Sequence, residues 1–505
     1  MLTLQDRIDA WRDDQLVGMR RGIEKESLRT TPDGGLAMTP HPLALGSALT
    51  HPHITTDFSE SQLELVTGAF TRVEATFAQL SELHQVVAQA LGDERMWVSS
   101  MPCCLPSEEA IPLGQYGASH IGRVKTVYRQ GLSHRYGRRM QTISGIHYNW
   151  SLPGLGNDEY FHLIRNFRRD SFLLLWLFGA SPAVCASFVD GLPHGLEPLS
   201  AGTLHLPHAT SLRMGRLGYQ SEAQASLAVS YNGLDGYGAT LEDAMTRIWP
   251  AYQAIGLRDE QGGWRQLSTH LLQIENEFYG TIRPKRTIHS GERPLHALRE
   301  RGVEYVEVRC MDLDPFEPLG IAPDTARVID LFLLHCLASD SPPDHPDEIA
   351  ALSENQQRVA ARGREPGLRL TRGGAEVVLV EWAAELLEGC EPIARRMDAA
   401  LGGQAYRQAL ASAQSRLLHP DALPSARVLR EASDTWRGEY TAMIAALSQA
   451  TRRVLLAQPL STERALHWAA LADRSLREQA RIEAEQQGSF DDFVTDYLDA
   501  RRLLA

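Results

Sequence analysis

Residues 144–152 read SGIHYNWSL. His147, Asn149 and Ser151 alternate there with Ile146, Tyr148, Trp150 and Leu152. Successive side chains of a strand point to opposite faces, so the stretch predicts a strand with one apolar face and one polar face. Three further segments repeat the pattern. GIEKESL at 22–28 projects Glu24 and Glu26 together, and SQLELV at 61–66 projects Gln62 and Glu64 against Leu63 and Leu65, with Asp57 shortly upstream in HITTDF. VEYVEVR at 303–309 sends Tyr305, Glu307 and Arg309 one way and Val306 and Val308 the other. A half-buried antiparallel strand with a solvated outer face accounts for any one of these alone. Together they offer five carboxylates, one imidazole and almost no balancing base. Gathered on one sheet, such carboxylates repel one another, which raises their pKa values or calls for cations between them. Oxygen-rich donor sets of this kind suit Mg²⁺ or Mn²⁺, which keep positions open for substrate phosphates.

Basic and aromatic residues accompany the acids. LLQIENEFYGTIRPKR at 271–286 reads as a strand with Glu275, Glu277 and Tyr279 on one face, leading into Arg283, Lys285 and Arg286. That basic end is either a solvated turn or a clamp over metal-bound phosphates. GRVKTVYRQGLSHRYG at 122–137 adds Lys125, Tyr128 and Arg129, and ATSLRMGRLGY at 209–219 adds Arg213 and Tyr219. Singly, these residues read as ordinary packing and surface positions.

The whole chain has 505 residues and a net charge of -13, which argues against nucleic acid or an anionic membrane as the main partner. Six cysteines without a C-x-x-C pair indicate neither a disulfide framework nor a zinc knuckle, and the adjacent Cys103 and Cys104 read as a buried structural pair. The acidic N-terminus lacks the pattern of an export signal, so a cytoplasmic location is expected. The uncharged run 172–189 is divided by Gly179, Ser181 and Pro182, which predicts a buried helix ending in a turn. No G-x-x-x-x-G-K-[ST], H-E-x-x-H or G-x-S-x-G occurs, so phosphates would be handled by metals and arginines.

Up to residue 322 the chain is punctuated by Gly, Pro, Asn and Asp and reads as strand-rich with interleaved helices, including a hairpin in which GIEKESLRTT turns at Pro32-Asp33-Gly34-Gly35 into LAMT. From 323 to 505 the spacing is helical, interrupted by the polar loop SDSPPDHPDE at 339–348. The expected class is α+β, with the helical part packed onto the strand-rich catalytic part as one compact unit.

GIEKESLR, GSALTHPHITTDFSESQLELVT, GDERMWVSSMPC, QYGASHIGRVKTVYRQGL, RYGRRMQTISGIHYNWSLP, LFGASPAVCASF, LPHATSLRMGRLGY, LQIENEFYGTIRPKR and GVEYVEVRCMDLDPF together closely resemble the glutamate–cysteine ligase family of the gammaproteobacterial type. The resemblance is dense from Arg21 to Pro318 and looser beyond. It implies a glutamine synthetase-like fold, in which a curved antiparallel sheet surrounded by helices carries the active site on its concave face. By the resemblance, Glu24, Glu26, Asp57, Glu64, His147 and Glu307 would hold two or three Mg²⁺ ions, with Mn²⁺ tolerated, and ATP would be a co-substrate. Arg309 would lie near the transferred phosphoryl group, Arg213 and Tyr219 would belong to the amino-acid pocket, and Tyr128 and Tyr279 would line the cysteine side. Arg129, Asn149, Arg283, Lys285 and Arg286 would contact nucleotide or phosphate. The implied reaction joins the γ-carboxylate of L-glutamate to the amine of L-cysteine through an acyl phosphate, the first step of glutathione biosynthesis, in a monomer. A loop covering the site is expected, drawn from residues 114–137. Two alternatives remain at this stage: a ligase of the same fold using another amine, and a non-catalytic metal or nucleotide sensor.

Overall fold

A computed structural model describes residues 3–102, 104–218, 222–225, 227–289 and 291–503. Strands β1 (Arg20–Thr30), β2 (Ile54–Thr56), β3 (Gln62–Val66), β4 (Arg95–Met96) and β5 (Ile146–Ser151) come first. Next, β6 (Ala183–Cys185), β7 (Glu197–Ser200) and β8 (Thr203–His205) form a separate small sheet in the order β6-β8-β7. Strands β9 (Ile282–Lys285) and β10 (Tyr305–Met311) then return to the first sheet, whose order is β2-β3-β1-β5-β10-β9 with β4 paired to the end of β1. Every pairing in this large sheet is antiparallel. Helices surround it, as expected for an α+β fold of the glutamine synthetase-like type.

The period-2 reading holds on all four segments. Ile23, Tyr148, Trp150, Val306 and Val308 are buried in one large apolar core, leaving the polar set on the opposite face. That core also takes in the helix Pro323–Ala338, nearly all of whose residues from Ala326 on are buried. Its one acid with no exposure, Asp330, reaches the back of the sheet: Arg21 Nε lies 3.1 Å from its carboxylate, and the hydroxyls of Tyr148 and Tyr406 each donate to it at 2.9 Å. The second half of the chain is thereby fastened to β1 and β5 directly behind the polar face.

The tight reversal forms at Gly34, whose φ of +88° favours glycine, but the expected hairpin does not: the returning residues make a single bridge to β1, Thr30 to Leu36, and another from Gly35 to Cys104, and no full strand. Helices fill most of the last third, and the loop over 339–345 separates two of them. The exception is a hairpin of β11 (Arg369–Arg372) and β12 (Ala375–Val378), turned by Gly373 and Gly374, both at positive φ. No helix among the described residues is long and apolar enough to cross a membrane.

Three expectations are corrected. Residues 275–277 form a short 3₁₀ turn and the strand begins only at Ile282, because Glu275 and Glu277 both point inward to buried arginines, Arg293 at 2.7 Å and Arg135 at 2.8 Å. The stretch 114–137 is no mobile loop: His120–Tyr136 is a helix whose N-terminus is capped by Ser119 Oγ accepting from Gly122 N at 3.2 Å. Cys104 is exposed, with its Sγ 3.5 Å from that of buried Cys185, while Cys103 lies outside the described residues.

The uncharged run does break where the sequence places the break, into the helix Phe172–Phe178 and strand β6. Gly179 is required there for space, since a Cβ would stand 2.5 Å from the Leu175 carbonyl oxygen and 2.7 Å from that of Thr210. Gly179→Ala is therefore expected to cost about 1–3 kcal/mol of stability, read from a denaturant midpoint. An unchanged midpoint would show that these two backbones can separate freely.

Candidate active site

Sheet register assembles the site. Glu24 on β1 faces His147 on β5, Glu26 faces Glu64 on β3, and Glu307 on β10 has Asn149 on one side and Arg283 of β9 on the other. Asn149 Nδ2 donates to Glu24 at 2.9 Å, and His147 Nδ1 lies 3.3 Å from the other Glu24 oxygen and 3.9 Å from Glu307. His147 Nε2 is 3.8 Å from Glu26. On the far side Glu307 pairs with Lys285 at 3.2 Å and with Arg309 at 2.8 Å. Arg309 occupies an irregular step of β10, between the residues paired with Tyr148 and Ile146.

The charges divide into two zones. Burial, then Asp57, raises the Glu26 pKa to about 8, and burial with Glu24, Asp57 and Glu26 carries Glu64 well above the carboxylate range. Burial would also raise Glu307, but Lys285 and Arg309 overcome it and hold the group well below that range. Burial similarly opposes ionisation of Glu24, and the hydrogen bond from His147 prevails. The imidazole of His147 is itself lowered by burial and then by Arg309, which leaves a neutral ring with a lone pair to offer. Glu24, Glu64 and His147 present donor atoms all within 4.8 Å of one another. Crowded carboxylates, half-buried at Glu24 and Glu64, beside a neutral imidazole fit a hard divalent cation such as Mg²⁺ or Mn²⁺, which would relieve their mutual repulsion.

The helix His120–Tyr136 brings the next residues to this face. Arg129 Nε donates to the Asp57 carbonyl, its guanidinium lies 4.4 Å from the centre of the Tyr116 ring, and Lys125 Nζ lies 5.2 Å from the same ring. Tyr128 is half-buried on the same helix, its hydroxyl pKa raised by burial and then by Glu277. Beside the acidic cluster a cleft is lined by Arg213, Met214, Tyr279, Gly280, Thr281, Arg309 and Gln356. Arg213 is completely buried, donates to the Arg309 carbonyl at 2.8 Å and lies 3.8 Å from Asp312. Tyr279 receives a hydrogen bond from Gln141 at 2.7 Å.

Most of the expected residues thus meet in one place. Arg286 is the outlier, bonded to the Arg301 carbonyl at 3.0 Å and placed 3.6 Å from Glu304. Arg283 is buried and donates to the Asn276 and Phe278 carbonyls, so it braces the turn before β9 as well as facing Glu307. Tyr219 lies outside the described residues. Gln141, Tyr116 and Gln356 went unnoticed in the sequence because isolated polar or aromatic residues in helices and loops carry no periodic signal.

A family model described as glutamate–cysteine ligase matches residues 6–359. The glutamate–cysteine ligase of Azotobacter vinelandii is 49% identical over 498 residues, 94% of this chain and 93% of its own length. That of Alcanivorax borkumensis is 48% identical over 505 residues, 95% of this chain and 96% of its own length. Among solved structures, a glutamate–cysteine ligase from Francisella tularensis in complex with AMP superposes with a TM-score of 0.91 at 36% identity, covering 96% of this chain and 98% of that one. A bifunctional glutathione synthetase from Pasteurella multocida gives 0.70 at 25% identity, covering 91% of this chain and 57% of that one. With the acidic face, the flanking cations and the neighbouring cleft all in position, these likenesses mean that the chain belongs to the glutamate–cysteine ligase family.

Proposed function

We propose that the protein joins the γ-carboxylate of L-glutamate to the amine of L-cysteine at the expense of ATP, the first step of glutathione biosynthesis. The observation that carries this reading is the division of one sheet face into an acidic zone and a cationic edge, with the cleft of Arg213, Tyr279 and Arg309 beside it. Glu24, Glu26, Asp57, Glu64, His147 and Glu307 would hold two or three Mg²⁺ ions. Bound there, the ions neutralise and align the phosphates of ATP.

Arg309 and Lys285, both paired with Glu307, would stabilise charge on the phosphoryl group as it passes to the glutamate carboxylate. The acyl phosphate so formed is attacked by the cysteine amine; the new C–N bond replaces the C–O bond, inorganic phosphate leaves and a proton is lost from nitrogen. Arg213 and Tyr219 would bind glutamate, and Tyr128 and Tyr279 would bound the cysteine side. Arg129 and Arg283 would contact nucleotide or phosphate, with Arg286 further out, and Asn149 would act through Glu24, to which it donates. Water must be kept from the acyl phosphate, and the well-anchored helix His120–Tyr136 would supply part of that wall. The catalytic residues would come from 1–322, and the mostly helical 323–505 would pack onto that part.

ADP release with Mg²⁺, ATP and glutamate, measured against cysteine, 2-aminobutyrate, ammonia or no amine and with products identified by mass, tests the reading. Rapid release with γ-glutamylcysteine as product is expected. Preference for another amine would overturn the substrate assignment, and no release with any amine would overturn the enzyme.

A further inference from the structure

Behind Tyr279 lies a buried polar hub centred on Glu277, a residue given no role above. The Glu277 side chain and that of Arg135 have no exposure, and they pair at 2.8 Å. Tyr136 donates its hydroxyl to the same carboxylate oxygen at 2.6 Å, and the Gln273 N–H donates to the other at 2.7 Å. Arg135 is itself fixed by Gln266 at 2.9 Å, by the Ser268 carbonyl at 2.6 Å and by the ring of Tyr252, 4.1 Å from its guanidinium carbon. Burial and then the charge of Glu277 push the Tyr136 hydroxyl pKa well up, so that group remains a donor.

Two routes connect the hub to Tyr279. The Tyr136 ring meets that of Tyr279 edge-on, with centroids 5.6 Å apart and planes at 67°. Gln224 bridges the backbones, donating to the Glu277 carbonyl at 2.8 Å and accepting from the Tyr279 N–H at 2.9 Å. Tyr279 then faces the cleft that holds Arg213 and Arg309. A buried, fully hydrogen-bonded network of this kind holds one geometry, and a ring braced by it cannot yield to a larger ligand without breaking several bonds at once.

We propose that Glu277 and Tyr136 are positioning residues that set the size of the amine-substrate side of the pocket by fixing the ring of Tyr279. The proposal rests on the ligase reading above. It makes discrimination between cysteine and bulkier amino acids depend on groups that never touch either.

Tyr136→Phe keeps the ring and removes the donor, while Arg135 and Gln273 continue to pair Glu277, so the fold should survive. The expected result is a roughly tenfold higher KM for cysteine, the loss of about one buried hydrogen bond. The values for ATP and glutamate and kcat should stay within about twofold. The ratio of kcat/KM for cysteine over leucine should fall. Gln224→Met cuts the second route and should give the same signature, which keeps the test available if Tyr136→Phe does not fold. An unchanged cysteine KM in a folded variant would overturn the proposal, and so would a parallel rise in all three KM values, the mark of a general structural role. Wild-type protein that makes no γ-glutamylcysteine would instead overturn the ligase reading on which it stands.

Discussion

Glu307→Gln is expected to lower ADP release with cysteine by about 10³-fold or more, while thermal unfolding changes little. The size follows from removing one of the ionised carboxylates that would hold the phosphate-binding cation, a change worth about 4 kcal/mol in the transition state. The amide also fails to balance Lys285 and Arg309, now 3.2 Å and 2.8 Å from the ionised oxygens, so both cations are free to shift from the line of phosphoryl transfer. Stability is spared because a charge that opposes ionisation of Glu24 is lost along with the two ion pairs. Activity equal to wild type in Glu307→Gln would remove the residue from the cation site.

The second large effect lies on the other side of the same sheet. Asp330→Ala leaves Arg21 buried without its counter-charge and takes the acceptor from the hydroxyls of Tyr148 and Tyr406. Breaking one partner of a buried pair typically costs about 3–5 kcal/mol, because the remaining ion stays desolvated. Denaturant unfolding should register a loss of that order, with Tyr406→Phe costing only about 1 kcal/mol. A loss in Asp330→Ala no larger than that of Tyr406→Phe would mean that Arg21 finds another partner or reaches solvent.

The parts of the fold legible in the sequence are those governed by strand period. Alternation at 22–28, 61–66, 144–152 and 303–309 put Glu24, Glu26, Glu64, His147, Asn149 and Glu307 on one face, although it leaves Lys25 buried on the other, opposite Ile146. Which residue would face which was not legible: Glu24 meets His147, 123 residues away, through a register decided by long-range pairing. The loop expected over 114–137 followed from the need to exclude water, not from the residues themselves. Gly122 and Gly131 lie inside the helix, where a Cβ at either would collide with the Tyr116 carbonyl or the Gln273 side chain. Glu275 and Glu277 misled for a different reason. Their alternation resembled a solvated strand face, whereas each is a buried ion-pair partner of an arginine from another segment.

The anchoring of β1 through Asp330 carries a consequence for biogenesis. Arg21 leaves the ribosome 309 residues before its partner, and at ordinary elongation rates that interval is roughly 15 to 60 seconds. During it β3 and then β5 join β1, but β10 arrives only near the end, and of the helices that share its apolar core the chain has Val73–Ala90, Asn157–Asp170 and Phe172–Phe178 but not yet Pro323–Ala338. The nascent chain must therefore carry an acidic, half-formed sheet whose back is only partly covered until the helix Pro323–Ala338 is made. Chaperone dependence and slow refolding should concentrate there, and a chain terminated before residue 323 should aggregate through that incompletely covered face rather than remain as a stable fragment.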